Sequence, residues 1–155
     1  MTFPATAIDP DRFASVRAPD VPRQRGAYAL VLDEGGRVLV VQASNGRFYL
    51  PGGRIEPGET ATDALRREMA EECGWDCTVG SCIGQQEQSI FDGAIRLSAS
   101  YWRARLGSSA LGAGEHQIHW LDREEAARRL HRKADRWAVA CCASREAERE
   151  PVKQR

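Results

Sequence analysis

The chain has 155 residues, with 22 lysines and arginines against 22 aspartates and glutamates, so no net field draws it onto nucleic acid or an anionic membrane. That length suits one domain able to bury about two thirds of its unfolded surface. Nowhere does an apolar run reach the length of a bilayer span, and the start carries no basic segment followed by an apolar one, so a cytoplasmic protein without membrane contact is expected. The cysteines, Cys73, Cys77, Cys82, Cys141 and Cys142, are odd in number and lack the C-x-x-C spacing of a structural zinc site. Free thiols in a reducing compartment are expected.

Residues 1–24 carry four prolines and many charges without apolar periodicity, which predicts an extended arm. The domain is expected over 25–147. Its first runs, GAYALVLD and RVLVVQA, flank Glu34, Gly35 and Gly36 and read as a hairpin, followed by a short strand RFYL that Pro51, Gly52 and Gly53 stop. A helix follows over 60–73, with Thr60 as cap, Asp63 completing a capping box and Gly74 beyond its end. Strands over 78–88 and 89–106 turn at Asp92 and Gly93, and QIHW ends a last strand at Trp120. Asp122 caps a short helix through Leu130, His131 with Arg132 and Lys133 reads as a solvated helix end, and a final helix runs from about 135 to 147 before the charged tail 148–155. This order predicts an α/β (α+β) fold with a mixed sheet between helices.

On a helical wheel Glu71 falls about −60° and Glu72 about +40° from Glu68, so three carboxylates share one narrow face. Like charges three and four residues apart repel, so a hard divalent cation with oxygen ligands is the natural complement. Leu65, Met69 and Cys73 form a core stripe beside that face, which puts the acids at the edge of the core, facing a cleft. The loop LPGGRIEPGE leading into the helix can bring backbone groups close to an ion or a phosphate.

Gly53, five residues, Glu59, seven residues, then Arg67 through Glu71 and Glu72 to Gly74 and Trp75 resemble the 23-residue signature of the Nudix hydrolases. Only Trp75 departs, standing where the family has an aliphatic residue. The resemblance implies a Nudix-type α/β/α sandwich and a Mg2+ site, with Mn2+ as substitute, built by Glu68, Glu71, Glu72 and the Gly52 carbonyl. It implies Gly53, Glu59, Arg67 and Gly74 as structural, Glu59 and Arg67 pairing to fix loop to helix, and Glu68, Glu72 and Glu115 as catalytic, with Glu68 or Glu115 as the base. Arg25, Arg47, Arg54, Phe91 and Trp102 are the candidates for contacts to substrate.

The implied reaction cleaves a diphosphate linkage in a nucleotide-like small molecule, with a MutT-like nucleoside triphosphate pyrophosphohydrolase as the default. Dinucleoside polyphosphates, RNA ends and a non-catalytic nucleotide-binding role are the alternatives, and a homodimer is compatible with any of them. The ADP-ribose branch carries a proline shortly after the signature, whereas no proline stands between Pro57 and Pro151.

Overall fold

The computed structural model describes residues 21–148, with side chains as far as residue 142. The arm expected over 1–24 and the tail over 148–155 lie almost wholly outside the described residues. The strands are β1 (Arg23–Val31), β2 (Val38–Gln42), β3 (Phe48–Tyr49), β4 (Gly52–Arg54), β5 (Trp75–Ile90), β6 (Ile95–Ala110) and β7 (Gln117–Leu121). Among the described residues three helices accompany them: α1 (Ala61–Cys73), α2 (Arg123–Arg129) and α3 (Lys133–Glu148).

Two sheets form instead of one. The first has the order β4-β1-β6-β5, mixed because β1 runs parallel to β6 and antiparallel to β4, and the second is an antiparallel β3-β2-β7. The expected hairpin of β1 and β2 is therefore only half present. Its turn closes through Asp33, whose backbone and carboxylate both engage Arg37, but past the Leu32–Val38 bridge the strands part. Both edges of β1 are already paired, with β4 and β6, so β2 has no edge to join and pairs with β7.

Alternation along β1 and β2 builds two cores. Tyr28, Leu30, Val38 and Val40 face one, closed by Ala126 and Leu130 and by Ala134, Ala138 and Val139 of α3. Ala27, Ala29, Val31, Leu39 and Val41 face the other, closed by Leu65, Met69 and Cys73 of α1. Strands buried on both faces read as continuous apolar runs, and helices cover both faces, which is the α/β/α plan.

The punctuation of α1 is as expected: Thr60 accepts from the Asp63 amide at 3.1 Å, and the Asp63 carboxylate accepts from the Thr60 amide at 3.0 Å. Gly74 ends it in the left-handed region at φ 73°. The hairpin of β5 and β6 also forms, but its turn is longer than Asp92-Gly93. Phe91, Asp92 and Gly93 all take positive φ, so Ser89 and Ile90 complete β5 instead of opening β6. The five cysteines are free thiols. No helix among the described residues is long and apolar enough to cross a membrane.

Asp135, read from sequence only as the start of a helix, is wholly buried. Its carboxylate accepts from the Tyr101 hydroxyl at 2.7 Å and from the Leu50 amide at 3.1 Å. One side chain of α3 thus ties β6 to the loop that precedes Gly52. Asp135→Ala strands two buried donors and should lower unfolding free energy by about 2–4 kcal/mol, read as a reduced urea midpoint at unchanged slope.

Candidate functional site

The site is built where the loop after β3 meets the inner end of α1. At Gly52, φ is 140° and a Cβ would lie 2.2 Å from the Ala27 carbonyl oxygen, so strand β4 can press against β1 only without a side chain there. At Gly53 a Cβ would lie 2.6 Å from Glu68 Oε1. The glycines bring this backbone onto the acid face of α1. The Gly52 amide donates to Glu72 Oε2 at 3.3 Å, which ties this backbone to the acid face.

Arg67 organises the loop around these acids. Its Nε and Nη2 grip Glu59 in a bidentate pair at 2.9 and 2.8 Å, Nη2 also donates to the Arg54 carbonyl at 3.0 Å, and Nη1 donates to Glu68 Oε1 at 2.9 Å. Glu59 accepts in addition from the Glu56 amide at 2.8 Å. Bonding from Arg67 holds the Glu59 carboxyl down at about 2, with the Glu56 amide as the next cause.

The helix acids differ in environment. Glu72 is half-buried, and burial, followed by the neighbouring negative charge of Glu68, pushes its carboxyl far above the usual carboxylate range. The Gly52 amide opposes this only in part. Glu71 turns outward, half exposed, with its carboxylate 3.6 Å from Arg67 Nη1. The wheel thus places three acids on one face, while the structure brings Glu68 and Glu72 together and sets Glu71 at the margin. Among the described residues no three acidic, histidine or cysteine side chains converge as a ready cage for a metal. Magnesium does not need one, because it is held by one or two carboxylates together with water and substrate phosphate oxygens. A half-buried carboxylate pair fits that description.

Glu115 lies in the loop between β6 and β7, which packs on the C-terminal end of α1. The Glu115 and His116 amides donate to the carbonyls of Glu71 and Glu72 at 2.9 and 3.1 Å, satisfying groups the helix leaves open. Close approach again requires glycine: a Cβ on Gly74 would lie 2.1 Å from the Gly112 oxygen, and one on Gly114 as near to that of Glu72. The Glu115 side chain is exposed, and its charge is felt at Glu72.

A cleft of 370 Å³ is lined by Glu72, Gly52 and Gly53 together with Tyr28, Tyr49 and Arg132. Arg54 lines it, and Phe91, 74% exposed, stands at its rim on the hairpin turn. The other candidates for substrate contacts lie elsewhere. Arg25 is exposed on β1, and Arg47 Nη1 meets His131 Nε2 at 3.2 Å. Trp102 faces the α1 core, donating to Ser100 Oγ at 3.0 Å, because strand alternation turns Leu97 and Tyr101 to one face of β6 and Trp102 to the other.

Arg132 is the correction that matters most. Read as part of a solvated helix end, it instead folds inward with its guanidinium 5.3 Å from the Tyr28 ring centre and 5.0 Å from that of Tyr49. No periodic pattern marks it, since it stands between two helices; only the alternation of Tyr28 along β1 pointed to that face.

Comparison with known proteins places this geometry. A family model described as NUDIX domain matches residues 22–141. A Bacillus subtilis relative named putative 8-oxo-dGTP diphosphatase is 38% identical over 46% of this chain and 53% of its own, so the chain spans about half that protein's length. An Escherichia coli relative named CTP pyrophosphohydrolase is 32% identical over 63% of this chain and 76% of its own. The solution structure of the E. coli ORF135 protein superposes with TM-score 0.68 at 24% identity, covering 86% of this chain and 96% of that one.

The raised carboxyl of Glu72 carries a stability signature. Its folded value lies above its unfolded one, so the unfolded chain releases the proton first and binds fewer protons across that window. Stability in chelator should therefore fall as pH rises above the ordinary carboxylate range. Glu72→Gln should flatten that slope, measured as melting temperature against pH from 5 to about 9.

Proposed function

The chain belongs to the Nudix hydrolase family, and we propose that it hydrolyses the diphosphate linkage of a nucleoside triphosphate, releasing the nucleoside monophosphate and pyrophosphate. The observation that carries this reading is the carboxylate pair Glu68 and Glu72, pressed against Gly52 and Gly53 beside a cleft that Glu72 lines together with the aromatic side chains of Tyr28, Tyr49 and Phe91. A polyanion that carries a planar group matches that combination. Both relatives described above bear names that denote cleavage of a nucleoside triphosphate, which supports the same class of substrate.

Nudix hydrolases generally use divalent cations, and in this chain Glu68 and Glu72 would hold Mg2+ or Mn2+, with Glu71 and the Gly52 backbone beside them. A cation bound there supplies charge neutralisation at the phosphate oxygens and polarises the attacking water. The remaining work falls to side chains. Arg67 keeps Glu68 in one orientation through its bond at 2.9 Å. Arg54, on the cleft wall, offers a guanidinium to the outer phosphates.

Water attacks phosphorus as the bridging P–O bond breaks, and its proton passes to a carboxylate. Glu68 is the first candidate, a reading supported by its orientation through Arg67 and its position against Gly53. Glu115 is the second candidate, exposed on a loop whose backbone is anchored to α1.

The test is release of pyrophosphate or phosphate from nucleoside triphosphates, dinucleoside polyphosphates, ADP-ribose and nucleotide sugars, with Mg2+, Mn2+ or chelator. Metal-dependent release of pyrophosphate from triphosphates is expected, and silence with all of them defeats the proposal. Glu72→Gln should abolish turnover with the fold intact by circular dichroism. Comparing Glu68→Gln with Glu115→Gln identifies the base: its loss should cost about a hundredfold or more in kcat, the other change far less.

A further inference from the structure

Resting on the hydrolase reading above, we propose that Arg47, Arg132 and Arg136 form a phosphate-binding subsite beside the cleft. It takes a phosphate group of the substrate other than those engaged by the cation at Glu68 and Glu72. The chain carries equal numbers of basic and acidic side chains, and Arg37, Arg66, Arg67, Arg96 and Arg129 each meet a carboxylate at 3.0 Å or less. Among the described residues Arg47, Arg132 and Arg136 form no such pair.

Neutral groups hold them instead. Arg47 Nη1 lies 3.2 Å from His131 Nε2; a guanidinium can only donate, so this nitrogen accepts and the imidazole is neutral. Arg136 Nη1 donates to the Leu130 carbonyl at 2.9 Å and to that of His131 at 3.4 Å. Arg132 rests on the Tyr28 and Tyr49 rings, at 5.3 and 5.0 Å, and donates to the Tyr28 hydroxyl.

The three cations gather around His131. Its ring packs edge-on against Tyr49, with 5.8 Å between centres. Burial first, then the charges of Arg47, Arg132 and Arg136, hold its imidazole below the usual range, and among the described residues no carboxylate counters them. Asp135 acts on Arg132 and Arg136, but it is wholly buried and already accepts from the Tyr101 hydroxyl and the Leu50 amide. It answers their charge from within the core and leaves their donors uncovered.

Crowding of like charges is unfavourable by the same physics that governs Glu68 and Glu72, with the sign reversed. The complement is an oxyanion with several acceptor oxygens, and guanidinium forks match phosphate. Arg132 and Tyr49 line the cleft with Glu72, whereas Arg47, His131 and Arg136 stand outside its lining, and Arg47 and His131 are exposed. A phosphate held there belongs to a part of the substrate that reaches out of the cleft, either the end of a longer phosphate chain or a phosphate on the sugar.

Without a divalent cation Glu68 and Glu72 repel anions, so anion binding by the metal-stripped full chain reads the arginines alone. Inorganic pyrophosphate, titrated by calorimetry, should bind with an affinity that falls as salt rises, and should shift the His131 imidazole signals in NMR spectra. Arg47→Met and Arg136→Met should each weaken binding about tenfold or more. Arg66→Met, which breaks only the pair with Asp76, should leave it unchanged. With Mg2+ present, KM is then compared for a nucleoside triphosphate, a nucleoside tetraphosphate and a nucleoside triphosphate bearing a 3′-phosphate. One of the two extra phosphates should lower KM about tenfold in wild type and not in Arg47→Met; which one does so names the source.

Absence of metal-free pyrophosphate binding, binding that survives Arg47→Met, unmoved His131 signals, or no gain from either extra phosphate would overturn the assignment. If Arg136→Met is misfolded, the exposed Arg47 still decides. The two readings fail separately. Hydrolysis with anion binding indifferent to Arg47 removes this inference and leaves the proposed reaction standing; metal-free binding through Arg47 without hydrolysis does the reverse.

Discussion

The bidentate pair between Arg67 and Glu59 is the contact on which the site's geometry depends. A planar guanidinium has donors on three sides, and here one grips the loop carboxylate, one the Arg54 carbonyl and one Glu68. The loop ahead of α1 has few apolar side chains to bury beyond Ile55, so packing alone does not fix its position. This cation fixes it to the helix, while the pairing of β4 with β1 places Gly52 and Gly53 and so brings backbone close to carboxylate. A lysine in place of Arg67 would keep the charge but could not serve those directions at once.

Around that hub the fold divides its tasks by face. Strands β1 and β2 send alternate residues into two cores, one under α1 and one under the C-terminal helices. The face under α1 carries the acids at its edge. The other face carries Asp135 and its partners, which pin the stretch before Gly52 from behind. The loop of the site is therefore clamped from both sides of the sheet, by Arg67 through charge and by Asp135 through buried hydrogen bonds.

The electrostatics of the cleft follow from the same division. Glu68 and Glu72 crowd each other in a half-buried position, which raises the Glu72 carboxyl and favours any cation that can share the two. In the same cleft the Arg132 guanidinium rests on aromatic faces and is balanced at longer range by a buried aspartate.

Much of this was legible in the residues alone. The caps of α1, its acid face, its core stripe and the pairing of Glu59 with Arg67 are matters of local spacing or of a short motif, and helical geometry alone brings the acids within reach of one another. What the chain order could not say is which strand edges are free. β1 is already paired on both sides, so β2 leaves for a second sheet, a fact that depends on residues more than sixty positions away in β6. Strand alternation likewise sends Trp102 away from the cleft, and the junction of α2 with α3 folds Arg132 into it. Spacing along one helix is decided by backbone geometry, whereas the cleft is made by elements distant in sequence. Its far wall existed only once they had packed.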